Sequence, residues 1–264
     1  MNRPAATLGI VISLTGLLAA QRAPAPGRAG LAPDQIALLC APAPADLPGR
    51  ASLPTPMHIT GGQSPAVRHA YAQGDLVTIS AGERQGVEVG QEFVTRRPVP
   101  APTRKRPASR NLVHTTGWIR VYAVDDDLSL ATVSHACSTI NPGDELAPLT
   151  PDTIPDTDAR DLEPKRNDYA RIVAGADGRR TFGPGDHFVI DRGRAKGVQP
   201  GARFALYRDR KVSQNFLYET GEAVAVAVGA EASTLKVIRA ASAILTGDYA
   251  GQRTEEPRRR AKAD

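Results

Sequence analysis

Gly74–Arg97 reads GDLVTISAGERQGVEVGQEFVTRR, and Gly185–Arg208 reads GDHFVIDRGRAKGVQPGARFALYR. Set at the constant offset that carries Gly74 onto Gly185, the first stretch places Gly74-Asp75, Gly82, Gly86-Val87, Gly90 and Phe93 on Gly185-Asp186, Gly193, Gly197-Val198, Gly201 and Phe204. A second run of identities follows at the slightly shorter offset that carries Thr116 onto Thr220. Thr116-Gly117, Val133, Ile140 and Gly143-Asp144 fall on Thr220-Gly221, Val237, Ile244 and Gly247-Asp248. One order of matches, broken by a single length change inside a loop, is the pattern internal duplication leaves. The chain is therefore read as two copies of one module.

The shared glycines predict the local structure. Gly82, Gly86 and Gly90 lie between an apolar run, Leu76–Ile79, and a second strand-like run beginning at Glu92. Glycine reaches positive φ, or lets two backbone segments touch, without a Cβ in the way. The expectation is a kinked strand-to-strand connection pinned to the core by Val87 and Phe93, repeated at Gly193, Gly197 and Gly201 with Val198 and Phe204. A phosphate cradle needs its glycines to open a helix. Here a strand follows, so these glycines are read as structural.

The rest of each module is also strand-like. Trp118–Val124 (WIRVYAV) alternates, with Ile119, Val121 and Ala123 expected on one face, and Leu128–Val133 returns after Asp125-Asp126-Asp127 as a hairpin. Glu222–Val228 and Ser233–Ile238 repeat this plan. Gly143-Asp144 and Gly247-Asp248 each precede a last short strand. About five strands per module without a long helix predict an all-β chain of two small repeated β-barrel-like modules. Only 5% of residues are aromatic, against 24 Gly and 22 Pro, which fits many turns and modest cores better than a large enzyme body.

Around the modules the composition changes. Leu8–Ala20 is an uncharged apolar run after Arg3, ending in small residues, and reads as a secretory signal peptide over residues 1–20. It is shorter than the roughly 20 apolar residues of a membrane-spanning helix, so the processed chain is expected not to span a membrane. Residues 21–56 form a Pro/Ala-rich leader expected to be an extended spacer. Module 1 is placed at 57–149, a Pro-rich acidic linker at 150–166, module 2 at 167–251, and a basic disordered tail at 252–264. Export makes a disulfide the expected state of the only two cysteines, Cys40 and Cys137, with two unpaired buried thiols as the alternative.

The module pattern of Gly-Asp, strand, glycine hinge with Val and Phe, strand, and a hairpin ending at Ile then Gly-Asp resembles a recurring bacterial envelope module. It is similar to the carboxy-terminal domain of flagellar assembly protein T and to uncharacterised secreted proteins that often carry a LysM peptidoglycan-binding domain. The resemblance covers Gly74–Leu146 and Gly185–Tyr249 and implies a β fold. It implies no catalytic residues, and no LysM-like segment accompanies it here.

Residues that could carry chemistry are sparse. His58, His69, His114, His135 and His187 form neither His-Glu-x-x-His nor a His-x-His pair, and no metal or other cofactor is expected. Asp125-Asp126-Asp127 lacks calcium-loop spacing. Asp75, Asp144, Asp186 and Asp248 are read as turn residues whose carboxylates cap backbone N–H groups. No catalytic residue is assigned. The remaining surface feature is the basic stretch Arg96, Arg97, Arg104, Lys105, Arg106 and Arg110, free of acids and interleaved with prolines. It is the candidate contact for anionic envelope polymers, or for envelope proteins. The net charge of +5 fits anionic surroundings, and without aromatics in that stretch nucleic acid is not expected as a partner.

Overall fold

The computed structural model describes residues 31–47, 53–62, 68–99, 112–150, 163–209 and 217–254. The fold is all-β, as expected. The leader contributes α1 (Pro33–Leu39) and β1 (Ala43–Pro44). Barrel 1 contains β2 (Ile59–Gly62), β3 (Leu76–Ile79), β4 (Glu92–Pro98), β5 (Leu112–Val124), β6 (Ser129–Ala136) and β7 (Glu145–Pro148). Barrel 2 contains β8 (Glu163–Gly175), β10 (His187–Ile190), β11 (Arg203–Asp209), β12 (Leu217–Val228), β13 (Ser233–Ala240) and β15 (Tyr249–Thr254), with the short strands β9 (Thr181–Phe182) and β14 (Ile244–Leu245) paired beside it.

The neighbour order β2-β3-β6-β5-β4-β7 in barrel 1 has its counterpart, strand for strand, in β8-β10-β13-β12-β11-β15 of barrel 2, every pair antiparallel. Barrel 2 is a closed ring. Barrel 1 curls round until β2 and β7 meet at a single bridge, His58↔Glu145, with the Leu146 N–H donating to the Met57 carbonyl and the Ile59 N–H to the Asp144 carbonyl. Small rings of this kind fill their interiors with side chains. Ile59, Val77, Ile79, Phe93, Ile119, Val133 and Leu146 fill barrel 1. Ile172, Phe188, Ile190, Phe204, Leu206, Leu235 and Val237 fill barrel 2.

The hinge glycines divide into two kinds. Gly82 has an extended backbone, and a Cβ there would lie 2.0 Å from the Asp125 carbonyl oxygen, so its role is close approach of the hinge to the β5–β6 turn. Gly86 (φ 77°) closes a one-turn 3-10 helix, Glu83–Gln85, in the left-handed region. Gly193 and Gly197 repeat both roles around Arg194–Lys196. These helical turns are additions to the expected strand-to-strand hinge.

Several expectations are corrected in detail. The leader is not extended throughout, because Pro33–Leu39 is helical. The expected linker reaches only to residue 162, since β8 begins at Glu163, and β15 runs to Thr254, inside the expected tail. Residues 151–162 and 255–264 lie outside the described residues, as does the expected signal peptide. Ala123 does not share the inward face of Ile119 and Val121. The β5–β6 register slips between Val121 and Ala123, a bulge that turns Ala123 outward, and β12 slips likewise between Ala225 and Ala227.

Candidate functional site

The most differentiated part of the molecule is the strap of residues 31–47 that joins the two barrels. Helix α1 begins with Pro33 at its first turn, and the Gln35 Oε1 accepts the Ala32 N–H at 3.0 Å. Its last two residues point in opposite directions. Leu39 packs with Val94, Trp118, Ala147 and Leu149 on the outside of barrel 1, whereas Leu38 packs on Val224 and Val226 of barrel 2. Strand β1 then pairs with β5 at Ala43↔Val113 and Pro44↔Leu112. Barrel 2 answers with polar contacts: Thr234 Oγ1 donates to the Pro42 carbonyl at 2.8 Å, and the Ala230 N–H donates to Asp46 Oδ2 at 2.6 Å. Gly229 permits this approach, since a Cβ there would sit 2.4 Å from Asp46 Oδ1. Leu112 of barrel 1 also meets Val173, Ala174, Val189 and Ala232 of barrel 2 directly.

Cys40 follows α1 and is disulfide-bonded to Cys137, just past β6, with Cα atoms 5.4 Å apart. The disulfide expected from the sequence is therefore present, and it fastens the strap to barrel 1. Both cysteines are half-buried. His135 is the register partner of Trp118, and their rings stack at 4.3 Å between centroids with 17° between planes.

On the other side of Cys40 an open pocket of about 190 Å³ is lined by Ala37, Cys40, Ala41, Ala176, Arg179, Gly185, Asp186 and His187. Burial is the main cause that lowers the His187 pKa from 6.5 to about 4, and its register partner Lys236 pushes the same way, against Asp186 and Asp34. The imidazole is thus neutral near pH 7.

The four turn aspartates cap backbone amides as expected. The Ala72 and Gly183 N–H groups donate to Asp75 and Asp186, and those of Asn141 and Leu245 donate to Asp144 and Asp248. Asp144 and Asp248 are also buried acceptors of arginines. Arg97 Nη2 reaches Asp144 Oδ2 at 2.8 Å, and Arg208 grips Asp248 with Nε at 2.9 Å and Nη2 at 2.7 Å, which raises the Arg208 pKa. The arginine is at matched positions in the two barrels, a correspondence not extracted from the sequence although Arg97 and Arg208 end the two aligned stretches.

This changes the basic stretch. Arg96 and Arg97 lie in β4, not in a loop, and Arg96 is 4% exposed beside Glu145 at 3.1 Å. Their charges are directed at barrel 1 itself. Arg104, Lys105, Arg106 and Arg110 lie outside the described residues.

One face distinguishes the barrels. Val224, Val226, Ala227 and Ala232 are buried beneath the strap and barrel 1. Their matched positions in barrel 1 are Arg120, Tyr122, Ala123 and Leu128, all exposed, with Tyr122 at 68% and Leu128 at 45% against 6% for Val226 and 3% for Ala232.

These features define a class: an all-β protein of two small side-chain-filled barrels stapled through a disulfide-bonded strap. Compared with protein families and with curated proteins, the chain matches none. Among the described residues no helix is long and apolar enough to cross a membrane.

Proposed function

We propose that the protein is a non-enzymatic scaffold or adaptor of the cell envelope, exported by its amino-terminal signal peptide to the periplasm or beyond, and that its barrels are two copies of one module. Kinship with the envelope modules it resembles belongs to the same proposal. The observation that carries the reading is the exposed face of barrel 1 at Tyr122, Ala123 and Leu128. In barrel 2 the matched face is the one used for docking, so barrel 1 offers a second docking face of the same construction to another protein. Exposed apolar groups gathered on one face of a β-barrel favour protein contact over solvent. The disulfide is compatible with an oxidising compartment.

A photo-crosslinking residue at Tyr122, with one at Glu219 as control, tests this in intact cells. The adaptor reading expects discrete protein adducts from Tyr122 alone. Absence of adducts from Tyr122 contradicts it.

Binding of peptidoglycan or another anionic polymer is the second reading, favoured by the aromatic cluster Tyr169, Tyr207 and Tyr249 on barrel 2, where Arg171 lies 3.3 Å over the Tyr249 ring. It expects the purified protein to sediment with sacculi and to lose this on neutralising Arg104, Lys105 and Arg106.

A further inference from the structure

The disulfide does more than close a loop, because of what stands beside it. One donor atom each from Cys40, Cys137 and His135 lies within 4.8 Å of the other two. Cys137 and His135 come from one strand end, but Cys40 is brought from 97 residues away by the strap, so the constellation exists only in the folded chain. His135 is held by its stack on Trp118, and among the described residues its ring nitrogens have no hydrogen-bond partner. Trp118 is itself fixed in the apolar cluster with Leu39, Val94 and Ala147. All three candidate ligands are half-buried, and Cys40 also borders the open pocket, which gives an entry path.

We propose that in the dithiol state Cys40, Cys137 and His135 form a three-donor site for a borderline divalent ion of the zinc type. Two thiolates and one imidazole are a donor set suited to that ion, which binds sulfur at ~2.3 Å and nitrogen at ~2.0 Å, so neighbouring donors in a tetrahedron stand ~3.5–3.8 Å apart. Side-chain rotation on the existing backbone spans the remaining difference. Three protein donors leave the fourth tetrahedral position to a water or an incoming ligand.

The conversion balances with an external dithiol as reductant. Its two S–H bonds become one S–S bond, while the Cys40–Cys137 S–S bond becomes two S–H bonds. The metal ion then displaces the two thiol protons into solvent, and His135 binds as the neutral imidazole. The strap is thereby held to barrel 1 by a covalent bond in one redox state and by a metal in the other.

Cobalt(II) is the probe. The full chain is reduced with a dithiol, freed of reductant without oxygen, and titrated with cobalt(II). The expected result is sulfur-to-cobalt charge-transfer absorption that saturates at one ion per chain, disappears on adding zinc(II), and is missing from the oxidised protein. His135→Ala, whose fold is verified first in the disulfide state, binds cobalt(II) roughly tenfold or more weakly after reduction. Emission of Trp118, the only tryptophan, follows the same titration. A reduced wild-type protein without charge-transfer absorption overturns the proposal, as does His135→Ala with unchanged cobalt affinity. Collapse of the β circular dichroism on reduction also overturns it, since the site needs the strap in place.

Discussion

Thr116 and Thr220 occupy matched, fully buried positions in the two barrels and have different surroundings. Thr116 Oγ1 lies 2.8 Å from both Thr95 Oγ1 and Asp144 Oδ2. Thr220 Oγ1 is buried without a hydrogen-bond partner among the described residues, and Leu206 stands where barrel 1 has Thr95. A buried hydroxyl without a partner costs about 1–3 kcal/mol, so the same near-isosteric change has opposite signs at the two sites. Thr116→Val is expected to destabilise by about 1–2 kcal/mol and Thr220→Val to be neutral or stabilising, read from urea midpoints. His187 predicts the acid response. Its folded pKa of about 4 lies below the unfolded 6.5, so the unfolded chain takes up the proton first. The stability it contributes is complete above pH 6.5 and is lost as pH falls toward 4, by no more than about 3 kcal/mol. His187→Gln is expected to flatten the dependence of unfolding free energy on pH across that window, and an unchanged slope would assign it to other groups. At this scale the sequence was readable where residues recur. The glycine hinges and aspartate turns were expected from their positions, whereas the pairing of Arg97 with the buried Asp144, and of Arg208 with the buried Asp248, depends on strand partners that no local pattern specifies.

Among the elements, β3, β4, β5, β6 and β7 and their counterparts β10, β11, β12, β13 and β15 follow from apolar runs bounded by glycine, apart from the bulges that turn Ala123 outward and shift β12, whereas β1, β2, β8, β9 and β14, and the neighbour order beyond the β5–β6 and β12–β13 hairpins, were not expected. Helix α1 was not legible. It is seven residues long, sits in Pro/Ala-rich surroundings, and is buried on opposite sides at Leu38 and Leu39, so no one-sided apolar period exists to be seen. Signals were present at its start, Pro33 at the first helical position followed by Asp34, but such caps are weak without a periodic run behind them. The structure gives α1 a testable role. Leu38→Ala and Leu39→Ala each remove a buried side chain and are expected to cost about 2–5 kcal/mol. Only Leu39→Ala should alter Trp118 emission in the folded state, because only Leu39 shares a cluster with that ring. Equal spectral effects from both variants would contradict the division of the strap between the two barrels.

At the level of the molecule, two filled barrels, a direct seam at Leu112 and a disulfide-held strap give one body from parts that composition alone presents as beads on a spacer. The reason is that contacts from the leader to Thr234, Ala230 and Val226 span nearly the whole length of the described chain, and such pairings leave no trace in local sequence. The candidate docking face was hidden for the same reason, since Tyr122 becomes informative only beside the buried Val226. The most direct test is a pulsed electron-resonance distance measurement between spin labels on Glu88→Cys in barrel 1 and Lys196→Cys in barrel 2, with the native disulfide intact. A single narrow distance that broadens when Leu38→Asp loosens the strap is the predicted result. A broad or multiple distribution in the otherwise native protein would contradict a strap that holds the barrels together.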